Sequence, residues 1–105
     1  MQFLVIARDG ADAAALDRRM VARGKHFERL PAMIEAGEML MGGAILDDAG
    51  RMVGSTVLVD FPDRAALDRW LEHEPYVTGD VWLDIEVVPF RLAVTGAIEQ
   101  AAAGR

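Results

Sequence analysis

Two apolar runs, residues 39–46 and 52–61, flank the segment Asp47-Asp48-Ala49-Gly50-Arg51. The residues between them favour turns or tolerate positive φ, so the two runs are expected to pair as an antiparallel hairpin. In the second run Ser55, Val57, Val59 and Phe61 share one face, and Thr56, Leu58 and Asp60 share the other. A strand is expected on either side of this hairpin. Residues 3–7 are apolar on both faces and end in Arg8-Asp9-Gly10. Near the other end Val81, Leu83, Ile85 and Val87 alternate with Trp82, Asp84, Glu86 and Val88, and Pro89 closes the strand.

Helical spacing fills both gaps. Residues 11–21 are rich in alanine and charge, with Leu16 and Met20 at i and i+4. Gly24 is expected to break this helix, so that a second piece begins near Lys25. There His26, Phe27, Leu30, Met33 and Ile34 fall in one arc; Pro31 should kink the piece or shift its start, and Gly37 should stop it. Pro62-Asp63 opens another helix running to about Leu71, with Asp63 as N-cap and Ala66, Leu67, Trp70 and Leu71 facing inward. The order β-α-β-β-α-β defines an α+β, ferredoxin-like fold: a four-stranded antiparallel sheet with its helices on one face. Residues 1–92 form this domain, and the Ala-rich tail of residues 93–105 is expected to make a short helix that frays.

Composition bounds the function. The chain has 105 residues, enough for one core, and a hydrophobic fraction of 52%, which is high for that size. The sheet face away from the helices needs cover, and a second copy is the economical one, so a homodimer packed sheet to sheet, able to extend to a higher homo-oligomer, is expected. A formal net charge of −6 argues against nucleic acid and acidic membranes as partners. Without cysteine, and with two histidines that form no HxH or HxxxH spacing, the chain offers no standard metal site. The apolar start lacks a basic n-region and no run is long enough to span a bilayer, so a soluble cytoplasmic domain is expected.

His26 is the natural carrier of protons near neutral pH, and Glu74, held at a rigid corner by Pro75 beside Tyr76, is a plausible carboxylate partner. Each also has a plainer reading: His26 bonded to a backbone carbonyl at the core edge, Glu74 solvated beside Glu72 and His73. Gly42-Gly43-Ala44 next to Gly54-Ser55-Thr56 permits close approach of a ligand, or marks a bulge.

Together these segments resemble the YciI-like (YCII-related) family. The resemblance is carried by Arg23-x-x-His26 entering a helix, Ala36-Gly37-Glu38-Met39-Leu40-Met41-Gly42-Gly43 and Gly54-Ser55-Thr56-Val57. The acidic-Pro75-Tyr76 element and Val87-Val88-Pro89-Phe90 complete it, over residues 2–91. It implies a dimeric α/β barrel built from two ferredoxin-like protomers, and a histidine–aspartate pair that falls on His26 and Glu74. Ser55, with Tyr76, Gly43 and Arg23, is implied to bind substrate. Glutamate here stands where the family usually has aspartate, and its carboxylate reaches roughly 1.5 Å farther. The implied activity is general acid/base chemistry on a small molecule, of lyase, dehalogenase or isomerase type, without a cofactor. Two other readings stay open: a non-catalytic ligand-binding or interaction domain on the same dimer, and a cofactor-free oxygenase.

Overall fold

The structure, a computed structural model, describes residues 1–96. The elements run β1 (Gln2–Asp9), α1 (Ala15–Glu28), α2 (Leu30–Glu35), β2 (Met39–Leu46), β3 (Met52–Asp60), α3 (Arg64–Glu72), α4 (Pro75–Thr78) and β4 (Trp82–Phe90). The expected hairpin is β2–β3. Asp47 Oδ1 accepts from the backbone N–H groups of Ala49 and Arg51, each at 2.9 Å, and Gly50 takes a φ of 82°. The strands form one antiparallel sheet in the order β2-β3-β1-β4, the ferredoxin-like arrangement expected from the element order.

The sheet is open. Strands β2 and β4 are its two edges and do not pair with each other, so the barrel implied by the family resemblance is corrected to an open four-stranded sheet. Within the chain the outer edges of β2 and β4 have no partner strand, so the four strands form a single layer backed by helices and do not close on themselves. On the helix-covered face, Phe3, Val5, Ala7, Val57, Val59 and Phe61 form the core with Leu67, Trp70, Tyr76 and Trp82. Asp63 caps α3 as expected, accepting from Ala66 N–H at 2.8 Å.

Three local expectations change. Gly24 does not break α1, which runs unbroken to Glu28 and meets α2 at Arg29. The break belongs to Pro31, which has no N–H to give the carbonyl of Phe27 and whose ring would crowd it. A glycine on an exposed helix face costs only ~1 kcal/mol against alanine, too little to end a helix packed on a sheet. In β4 the pairing shifts between Arg8 and Asp9, so that Asp9 lies opposite Trp82 while Arg8 lies opposite Asp84. This bulge turns Trp82 onto the core face, against the alternation expected, and leaves it 3% exposed. Finally, β4 continues through Pro89 to Phe90. An edge strand tolerates a proline because one side of its ladder has no partner to lose. Residues 93–96 are not helical, and the rest of the expected tail helix lies outside the described residues.

Close packing of β1 on β3 makes one glycine indispensable. A Cβ on Gly54 would sit 2.4 Å from the backbone oxygen of Ala7, whereas one on Gly43 meets nothing within 4 Å. Gly54→Ala is therefore expected to cost about 1–3 kcal/mol by forcing the strands apart. Gly43→Ala should be neutral or slightly stabilising, and urea denaturation of the two variants checks the contrast.

Candidate active site

Helix α1 sets the site through three residues spaced i, i+4 and i+7, Arg19, Arg23 and His26, which fall on one stripe. His26 is buried and occupies the last turn of α1, not the first turn expected from a break at Gly24. The carbonyls ending the helix present partial negative charge there, opposite in sign to the amides that a first turn would have offered.

Glu74 approaches from the other side of the chain. As the residue before proline it is extended, with φ −70° and ψ 124°, and it caps the short helix α4 by accepting from Tyr76 N–H at 3.3 Å. Its Oε1 also accepts from His26 Nδ1, and its Oε2 accepts from Arg29 Nη1 at 2.8 Å. Glu74 is 1% exposed. A carboxylate so deeply buried is tolerable only with this set of donors, which leaves neither oxygen unpaired. The longer glutamate side chain thus reaches the imidazole directly. A carboxylate can only accept, so Nδ1 carries the proton of this bond and Nε2 is the nitrogen with a free lone pair.

Aromatic rings fix the imidazole in plane. Tyr76 stacks on it with centroids 4.1 Å apart and a 16° interplanar angle, and Phe27 meets it edge-on at 5.4 Å. Burial pushes the Tyr76 phenol above its usual pKa, only partly offset by the nearby charges of Arg19 and Arg23, so it remains a protonated donor at neutral pH.

A second buried network lies beside the first. Arg19, 3% exposed, binds both carboxylate oxygens of Asp9 through Nη1 at 3.0 Å and donates from Nη2 to Ser55 Oγ at 2.7 Å. The Trp82 indole N–H, delivered by the β4 bulge, donates to the same Ser55 Oγ at 3.1 Å.

Both networks border a cavity of about 450 Å³ between the α1–α2 face and strands β2 and β3. Among the residues singled out in the sequence, Arg23, His26, Ser55, Tyr76 and Gly43 all line it, while Glu74 stands behind His26. Gly42 also lines it and is the glycine that leaves it room, since a Cβ there would sit 3.1 Å from Val57 Cγ1. Sequence reasoning missed Arg19, Asp9, Arg29 and Trp82. The stripe of Arg19, Arg23 and His26, in register with buried Ala15 and Ala22, was the available signal for Arg19. An arginine inside an apolar stripe implies a buried counterion. Among the described residues no group of three or more His, Cys, Asp or Glu could hold a metal ion. No helix among them is long and apolar enough to cross a membrane.

Fold and site together define a small α+β domain with a buried histidine–carboxylate pair at the edge of a ligand-sized cavity. The chain belongs to the YCII-related domain family, which matches over residues 1–91. It is 31% identical to protein YciI of Escherichia coli over 97 residues, covering 87% of this chain and 97% of that protein. An uncharacterized Haemophilus influenzae protein is 32% identical over 98 residues, with the same coverage. Among solved structures, the 5-chloro-2-hydroxyhydroquinone dehydrochlorinase of Burkholderia phenoliruptrix, in complex with 2,5-dihydroxybenzoquinone, superposes with a TM-score of 0.75 at 18% identity. The match covers 89% of this chain and 96% of that one. A dimeric ferredoxin-like protein of unknown function from Jannaschia gives a TM-score of 0.53 at 19% identity, covering 87% and 98%. At these identities the likeness is one of fold.

Proposed function

We propose that this protein is a small-molecule enzyme in which His26 transfers a proton and Glu74 orients and charge-balances it. The observation that carries this reading is the buried bond from His26 Nδ1 to a Glu74 carboxylate that is itself tied by Arg29, on the wall of the cavity. In this reading His26 Nε2 takes a proton from an acidic O–H or C–H of the bound substrate. The electron pair left behind expels a leaving group such as halide, or shifts to form an isomeric double bond. Nε2 then returns the proton to solvent or to the product. The positive charge that develops on the ring is met by Glu74, which is already in place and needs no reorganisation. Ser55, Tyr76, Arg23 and the Gly42–Gly43 backbone surround the reacting molecule.

The structural neighbour that removes chloride from a hydroxylated ring supports elimination as the first reaction to try. The test is a turnover screen of halogenated hydroxyaromatic and small cyclic carbonyl compounds, with chloride release and ultraviolet spectra as readouts and His26→Gln as control. Turnover that persists undiminished in His26→Gln would remove the assigned role.

We further infer that a second copy covers the face of the sheet opposite the helices. Strand register places Leu4, Ile6, Met41, Val88 and Phe90 on that face among Gln2, Thr56, Asp60 and Glu86, with Met41 47% and Phe90 42% exposed. The exposed apolar side chains there favour burial against another sheet, and a dimeric Jannaschia protein of the same fold supports association of two copies. Analytical ultracentrifugation should give twice the 11.5 kDa chain mass, and Ile6→Lys should shift the protein to monomer. A parent chain that sediments as a monomer at high concentration contradicts the inference.

A further inference from the structure

We propose that the cavity takes an organic anion, a flat apolar body bearing a carboxylate, phenolate or enolate oxygen that accepts from the Ser55 hydroxyl and faces the Arg23 guanidinium. This names the substrate class of the site proposed above and rests on the cavity being the ligand site, though not on the proton transfer.

Charge is the first ground. In a chain of formal net charge −6, the cavity is lined by Arg19, Arg23 and His26, and none of the described residues lining it is Asp or Glu. The carboxylates that neutralise this wall stand behind it: Asp9 holds Arg19, and Glu74 holds Arg29 and His26. Arg23 is different. Among the described residues it takes part in no ion pair, and its guanidinium lies over the Phe27 ring at 4.6 Å, held by an aromatic face while its charge stays available. A negative protein that keeps every carboxylate off one cavity wall, and leaves an arginine there without a counterion, is arranged to attract an anion.

The Ser55 hydroxyl is the second ground, and it is independent of charge counting. Its oxygen already accepts from Arg19 Nη2 and from Trp82 Nε1, and neither partner can accept in return. Both lone pairs are occupied, so the hydroxyl proton is left to donate to a third partner. Ser55 is 4% exposed and lines the cavity, so that partner is the ligand. Arg19 behind the oxygen withdraws electron density and strengthens the donor. Such a hydroxyl suits an oxyanion and offers nothing to an ammonium or amide N–H. The rest of the lining, Leu30, Ile34, Met39 and Val57 among it, is apolar and suits a ring or short hydrocarbon body.

Isothermal titration of a matched pair of probes, 2,5-dihydroxybenzoate and 2,5-dihydroxybenzamide, tests the charge preference at constant shape. The carboxylate is expected to bind about tenfold tighter than the amide, the effect of one partly desolvated charge contact. Arg23 is exposed, so Arg23→Gln should fold normally, and it should cut that ratio to about threefold or less, with Arg23→Lys restoring most of it. Ser55→Ala, checked for folding by circular dichroism, should weaken the carboxylate more than the amide. Equal binding of the two probes overturns the proposal. So does a ratio that Arg23→Gln leaves unchanged, or the failure of both probes to bind at millimolar concentration. The two proposals fail separately: a charge preference without any turnover sinks the acid/base reading alone, whereas turnover of neutral substrates without a charge preference sinks this one alone.

Discussion

His26→Gln is expected to lower turnover of any confirmed substrate by about 10²–10⁴-fold, the usual contribution of a positioned general acid or base. Glutamine fills much the same volume and can still donate to Glu74, so the buried carboxylate keeps a partner and the fold survives. What glutamine cannot do is take up and release a proton, because its amide nitrogen has no basic lone pair. The loss should therefore fall on kcat, with KM changed little, because the substrate is held by Ser55, Arg23 and the apolar wall rather than by the imidazole. A rise in KM at unchanged kcat would instead make His26 a binding residue.

Glu74→Ala is expected to be the most damaging single change to stability. It removes the acceptor for His26 and Arg29 and the cap of α4 at once, in a place where Glu74 itself is 1% exposed. Breaking a buried pair by deleting one partner costs about 3–5 kcal/mol, mostly for the charge left behind. In a domain of this size that should lower the melting temperature by more than about 10 °C. Glu74→Gln keeps the shape and one acceptor, so it should cost less than the alanine while still lowering turnover, since a neutral amide cannot balance an imidazolium. A Glu74→Ala variant as stable as the parent would mean that the carboxylate is solvated in solution.

Much of this architecture was legible before the structure because the signals were local. The Asp47–Arg51 turn, the alternation in β3 and the Asp63 cap depend on neighbours within a few residues, and each formed as expected. The errors came where local preference met tertiary packing. Gly24 weakens a helix, but the apolar stripe through Ala15, Arg19, Ala22 and His26 holds α1 on the sheet through it. The β4 bulge has no sequence signature, because alternation in residues 81–88 is equally clean with or without a shift at Arg8. The implied two-protomer barrel was overturned for a different reason: no local pattern says how sheet edges are paired, and in this chain β2 and β4 stay open edges.

The candidate site shows the same division. His26 and Glu74 are 48 residues apart, and composition gave each a bland alternative; only the ordered family motifs put them together. Arg19 and Trp82 escaped notice because their roles depend on a helix that does not stop and a strand that shifts register. Those two residues fix the Ser55 hydroxyl, and no motif around Ser55 announces it.

Glu74 holds the proton of His26 on Nδ1 and leaves Nε2 to exchange one with a ligand. Nitrogen-15 NMR of the imidazole in uniformly labelled protein tests this without any substrate. The neutral ring is expected to be protonated on Nδ1 and bare on Nε2, with the Nδ1 signal displaced in Glu74→Gln. A neutral ring protonated on Nε2, with Nδ1 bare, would contradict it.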